Sequence, residues 1–131
     1  MEKVNNSSRI IRYFSEKQKC MMVVRNEIAQ RYAMKLETDT SVVEYKTLVE
    51  LDKSLYINVP TIGLIKDHFS QSWLTDFMIL YNDTHVAIRE LCDKKSLGYI
   101  RELKKLEFSR RYWEKQRITD WKILIFDDTS K

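Results

Sequence analysis

"WLTDFMILYNDTHVAIREL", residues 73–91, decides how this chain folds, because it puts one carboxylate into each of two apolar runs separated by a short polar turn. Side chains on a strand alternate between faces with a period of two. Asp76 therefore shares a face with Leu74, Met78 and Leu80, and Glu90 shares one with Val86, Ile88 and Cys92. If "NDT" is a three-residue hairpin loop, Tyr81 pairs with His85, and counting back along both strands sets Asp76 opposite Glu90. Opposed side chains on an antiparallel pair have Cβ atoms roughly 4.5–5.5 Å apart, where like charges repel unless something compensates. A divalent cation is one compensation: Mg²⁺ is commonly held by one or two carboxylates with waters and substrate phosphates. A bulge that turns one acid outward is another. Neutralisation by Arg89 or a lysine is a third.

Working outward, the 131 residues are 44% hydrophobic, with only two Gly, one Pro, no low-complexity tract and no repeat at solenoid spacing. The expectation is a single domain over residues 1–131 with a core of its own. Cys20 and Cys92 form no C-x-x-C pair and no disulfide framework, and read as small reduced hydrophobes. With no apolar stretch near 18 residues and no signal-peptide layout, the chain is expected to be cytoplasmic, with no membrane association. Its net charge of +4 comes from 23 Lys and Arg against 19 Asp and Glu. The surplus is concentrated in "KKSLGYIRELKKLEFSRRYWEKQR", residues 94–117, which interleaves basic residues with Tyr99, Phe108, Tyr112 and Trp113.

The remaining segments alternate in type. "CMMVVRNEIAQRYAMKLETD" spaces Met21, Val24, Ile28, Tyr32 and Leu36 by three or four, the stripe of an amphipathic helix, with Glu27 at its edge. "VVEYKTLVELD" alternates Val43, Tyr45, Thr47, Val49 and Leu51 with Glu44, Lys46 and Glu50, as a half-exposed strand does. "SLYINVP" reads as a further strand and "TIGLIKDHF" as a short helix or loop. A helix is expected near 97–116, with Leu103, Leu106 and Trp113 inward and Lys104, Arg111 and Lys115 outward. "DWKILIFDD" then closes the chain as a buried strand. This order predicts an α/β domain with a mixed central sheet flanked by helices.

An Asp in an apolar strand, a short hairpin, a Glu in the next strand and a basic helix behind it resemble the restriction-endonuclease-like PD-(D/E)XK core. More specifically, the chain resembles the endonuclease domain of TnsA-like transposon subunits. "RYFSEKQKCMMVV" is similar to the family's N-terminal aromatic, Ser and Lys signature, and "LETDTSVVEY" to its acidic segment leading into a first strand. "LTDF" is similar to its Asp strand, and "KLEFSRRYWEKQRITDWKILI" to its closing helix and strand. The resemblance implies a metal-dependent DNA endonuclease that hydrolyses phosphodiesters at transposon ends in bacterial or phage DNA, together with a partner transposase. A catalytically degenerate DNA- or protein-binding module on the same fold is the alternative.

Carried over residue by residue, the resemblance makes Asp76 a ligand for Mg²⁺ or Mn²⁺ and Glu90 the second acid, with Glu27 as a third carboxylate from a helix. Counting back from "LETD", the family's glutamate falls nearer Ala29. The family also wants acid-x-Lys on the second strand, where this chain has Cys92. Lys94 and Lys95 follow closely and are the candidates for the missing ammonium, since a flexible stem needs only to bring its charge near the scissile phosphate. Arg101, Lys104, Arg111 and Lys115 are the expected contacts to the backbone of double-stranded DNA. For Arg111, pairing with Glu107 along the helix is the competing expectation. His68 and His85 have no ligand spacing to the acids and are not expected to be catalytic.

Overall fold

The structure, a computed structural model, describes residues 10–64 and 73–127. The chain begins with a hairpin of β1 (Ile11–Ser15) and β2 (Cys20–Val24), followed by helix α1 (Glu27–Thr38) and strand β3 (Val42–Glu50). A 3-10 helix over Lys53–Asn58 leads on toward β4 (Leu74–Tyr81) and β5 (Val86–Asp93). A second 3-10 helix, Lys94–Gly98, precedes helix α2 (Ile100–Lys115), and β6 (Asp120–Phe126) follows. One four-stranded mixed sheet has the order β3-β4-β5-β6, and a separate two-stranded sheet is the β1-β2 hairpin.

The β4–β5 hairpin has the register expected from its turn, with Phe77 opposite Arg89, Met78 opposite Ile88, and Tyr81 N–H bonded to the His85 carbonyl. β6 runs parallel to β5, the orientation that a helical crossover through α2 allows. Helix α1 and the β1–β2 hairpin close one face over Phe77, Ile79, Ala87 and Leu91. The other face carries Ile88 under Phe108, Tyr112 and Trp113 of α2. The α/β class with a mixed sheet between helices is therefore as expected.

Several segments differ from the sequence pattern. Residues 20–39 are not one helix: "CMMVV" pairs with β1, and the helix begins only after Asn26, whose side chain accepts the Ala29 N–H at 2.9 Å as an N-cap. The helical spacing of Met21, Val24 and Ile28 was coincidental, and Met21 stands on the exposed face of the hairpin beside Phe14. Val43 is exposed because the β3–β4 register shifts between Val42 and Glu44, which turns Val42 and Tyr45 inward instead. "SLYIN" forms a 3-10 turn, started by the Asp52 side chain accepting from Ser54 N–H, rather than a strand. Leu103 is largely exposed near the start of α2. β6 lies at the edge of the sheet, so its burial is partial and Ile125 faces outward. Most of "TIGLIKDHF", His68 included, lies outside the described residues.

Glu37 ties the hairpin to the main sheet. Its carboxylate accepts from Ser15 Oγ and Tyr45 Oη, each at 2.5 Å, and from Lys17 N–H at 3.0 Å, while Tyr13 and Tyr45 hydroxyls meet at 2.7 Å. Burial acts to raise the Glu37 carboxyl pKa, but the donors from Ser15, Tyr45 and Lys17 outweigh it and the net shift is downward.

Candidate functional site

Strand alternation breaks at Asp76. Thr75, Asp76 and Phe77 are all buried in succession, as a central strand covered on both faces allows. Phe77 packs its ring edge-on to Tyr32 of α1, whereas Thr75 Oγ1 accepts from Trp113 Nε1 of α2 at 2.9 Å, so residues two apart reach opposite layers. The strand twists between them. On the neighbouring strand, Leu48 has φ +49°, a left-handed conformation costly for a branched side chain. It stands between two in-step pairs, Thr47 with Phe77 and Val49 with Thr75.

At the same place the β4–β5 ladder opens, its regular pairing ending at Phe77–Arg89, one residue before Asp76 and Glu90. The two carboxylates take over the main-chain hydrogen bonding there. Asp76 Oδ2 accepts the Leu91 N–H at 2.8 Å, and Glu90 Oε1 receives the Asp76 N–H at 3.4 Å. Backbone donors left without a carbonyl are thus met by side-chain oxygens of the facing strand. The acids are brought together at one opening, but each has its own surroundings. Glu90 Oε2 accepts from Ser109 Oγ at 2.5 Å, Thr75 Oγ1 at 2.9 Å and Trp73 Nε1 at 3.1 Å, on the α2 side. Ser109 in turn accepts from Trp121 Nε1 at 3.1 Å. Asp76 receives Arg25 from the β2–α1 junction, Nε to Oδ1 at 3.1 Å and Nη2 to Oδ2 at 2.5 Å.

Both acids are nearly sealed, Asp76 at 2% and Glu90 at 1% exposure. Burial pushes the Glu90 carboxyl up to about 7, against the lowering effect of Ser109, and the Asp76 charge adds to the rise. Burial raises Asp76 as well, opposed by the Arg25 charge and the Leu91 N–H. The neutralising arginine anticipated among the alternatives is present, but it is Arg25 and not Arg89. Arg89 lies on the α1 side, where it donates to the Ile88 carbonyl and to Asp120 Oδ1 at 2.9 Å.

The other expected site residues are placed as follows. Glu27 is the first residue of α1, two after Arg25, and is exposed, with no described bond to the acid pair. Cys92, two residues after Glu90, is buried, and burial raises its thiol pKa. Lys94 and Lys95 open the 3-10 helix after β5 and face solvent. On α2, Arg101 and Lys115 are exposed and Lys104 is half-buried. Arg111 is not a free phosphate contact: its Nε donates to Glu107 and its Nη1 to the Pro60 and Ile62 carbonyls, each at 2.9 Å or less. The competing expectation of a Glu107–Arg111 pair holds, since the residues stand one turn apart. Arg110 pairs with Glu107 and Glu114, and Lys105 with Glu102, so much of the basic surplus on α2 is balanced within the helix.

As a donor set for a hard divalent cation, Asp76 and Glu90 are suitable in kind and in adjacency. Asp76 Oδ1 and Glu90 Oε1 each receive one hydrogen bond, so each keeps accepting capacity. Among the described residues, no third His, Cys, Asp or Glu converges on them. Arg25, Thr75 and Ser109 are the contributors that sequence reasoning missed. "RNE" holds the one usable signal, because Asn26 followed by an acid marks a helix start and so moves Arg25 to a strand–helix junction.

No helix among the described residues is long and apolar enough to cross a membrane. No protein-family model matches the chain, and no curated protein matches it.

Proposed function

We propose that this chain is a PD-(D/E)XK-type domain, similar to TnsA-like transposon endonucleases, whose acid pair Asp76 and Glu90 serves divalent-dependent hydrolysis of DNA phosphodiesters. The observation that carries this reading is the opening of the β4–β5 ladder at the step where two nearly sealed carboxylates meet. Burying two acids side by side is costly, and carboxyls whose pKa is raised by burial beside a specific charge partner are candidates for a functional site. The order α1, β3, β4, β5, α2, β6, with the acids on the two central strands, also supports it.

In this reading Asp76 and Glu90 would hold a divalent cation, whose chemistry would be to lower the pKa of a water and polarise a phosphoryl oxygen. Ser109, Thr75 and Trp73 fix the Glu90 carboxylate through Oε2, leaving Oε1 as its working oxygen. Lys94, Lys95 and Lys115 remain exposed to meet DNA phosphates without reading bases. The partner would be a transposase subunit acting on the same DNA ends.

A second reading is favoured by Cys92, which leaves the second strand without its cation, and by the Arg25 fork on Asp76. In it the fold binds DNA or protein and does not cut. Incubating supercoiled plasmid with the protein in Mg²⁺ or Mn²⁺, alone and with a candidate partner transposase, separates the two. Nicking that disappears in Asp76→Asn and with chelator supports hydrolysis. Binding without nicking under all of these conditions supports the second reading.

A further inference from the structure

Arg25 is held differently from Arg111 and Arg89. Arg111 is pinned to one carboxylate and two carbonyls, and Arg89 to Asp120 and a carbonyl. Arg25 donates to Asp76 alone among the described residues, although its fork is bidentate. Its side chain is 40% exposed while that of Asp76 is 1% exposed, so the guanidinium forms the solvent-side cover of a buried acid. A rotation about its own side chain, with no movement of the Asn26-capped helix that follows, would uncover Asp76. The position is also electrostatically apt. Cys92 stands where the acid-x-Lys pattern would carry its ammonium and Lys94 and Lys95 face solvent, whereas Arg25 already touches the acid pair through Asp76.

Resting on the functional reading above, we infer that Arg25 is the phosphate-binding cation of this site, parked on Asp76 in the free protein and released to a DNA phosphate oxygen when a divalent cation takes the acid pair. The chemistry suits arginine. Its planar fork binds a phosphate as it binds a carboxylate, with two parallel N–H donors, so the transfer exchanges one anionic acceptor for another. A parked guanidinium also lowers apparent affinity for a divalent cation, because the competent state is only part of the population. Free protein and DNA complex should therefore differ in the side-chain position of one residue.

The test uses Mn²⁺ and a short DNA duplex as probes on the full chain, comparing wild type with Arg25→Ala and Arg25→Gln. Near-ultraviolet circular dichroism checks that each variant is folded, and Arg25→Gln keeps a neutral donor beside Asp76 if the alanine variant does not fold. Titration calorimetry should show Mn²⁺ binding about tenfold tighter or more in the variants, the parked competitor being gone. Duplex affinity at fixed salt with Mn²⁺ present should fall in the same variants. Equal Mn²⁺ affinity in all three proteins overturns the parking, and unchanged duplex affinity overturns the phosphate contact. Either failure leaves plasmid nicking to be judged independently, so the loss of this inference is distinguishable from loss of the nuclease reading.

Discussion

Arg25 lays its guanidinium along both oxygens of Asp76, Nε on Oδ1 at 3.1 Å and Nη2 on Oδ2 at 2.5 Å, from a junction fifty-one residues away in sequence. That fork changes what removal of the acid should do. Two crowded acids with nothing between them would make Asp76→Ala neutral or stabilising through relief of repulsion. With Arg25 and the Leu91 N–H both using the carboxylate, the alanine variant instead leaves a buried donor without an acceptor. Asp76→Ala is expected to lose about 1–3 kcal/mol in urea unfolding, and Asp76→Asn, which keeps an acceptor for Leu91, to lose less. Equal losses in the two variants would contradict this account of the Leu91 bond.

Glu90 is satisfied chiefly from the α2 side. Ser109→Ala removes its shortest donor at 2.5 Å and also the acceptor of Trp121 Nε1. A loss of about 1–3 kcal/mol is expected in chemical unfolding, together with an altered fluorescence of the indole that loses its acceptor. A variant as stable as wild type with unchanged emission would show that the network carries no weight.

Much of the acid pair's placement is legible in residues 73–91, because turn length sets hairpin register and the ladder obeys it from Leu80–Val86 to Phe77–Arg89. What the pattern cannot show is the last step. Period-two reasoning puts residues two apart on one face, which Thr75 and Phe77 are not, and Leu48 on the facing strand has a left-handed backbone with no sequence signal such as Gly or Asn. The β2–α1 junction is hidden for another reason. Apolar residues in a short, separate hairpin happen to fall at helical intervals, and the N-cap Asn26 that breaks the run also places Arg25 where it meets Asp76. On α2 the basic surplus is visible in sequence, yet its pairing is decided by geometry, with Glu107 one turn from both Arg110 and Arg111.

Glu37 is expected to make stability depend on acid. Its carboxyl is below the ordinary range in the folded chain, so its contribution is present above the unfolded pKa of about 4.3 and is lost as pH falls through the lower folded value. Glu37→Gln should flatten the acid limb of a plot of stability against pH and leave the two hydroxyl donors less well satisfied. An acid limb identical to wild type would remove Glu37 from this role.

His85 bridges Asp83 and Asp120 through its two ring nitrogens, at 2.6 and 3.1 Å. The Asp83 bond raises its pKa, desolvation opposes the rise, and the Asp120 bond adds to it, leaving a net upward shift. Its stabilising contribution is therefore full below about pH 6.5 and fades as pH rises through the higher folded value. A proton NMR titration should place His85 above the ordinary histidine range, and Asp83→Asn should bring it down. A value unmoved by that substitution would contradict the bridge.

The opening between Asp76 and Glu90, where regular β4–β5 pairing ends, is the proposed cation site. A crystal soaked in Mn²⁺ and measured at the manganese absorption edge tests it most directly. The expected result is an anomalous peak in contact with the Asp76 and Glu90 carboxylates, with the Arg25 guanidinium turned away from Asp76. Crystals that take up Mn²⁺ elsewhere, with the Arg25 fork still closed on Asp76 and no peak between the two acids, would contradict it.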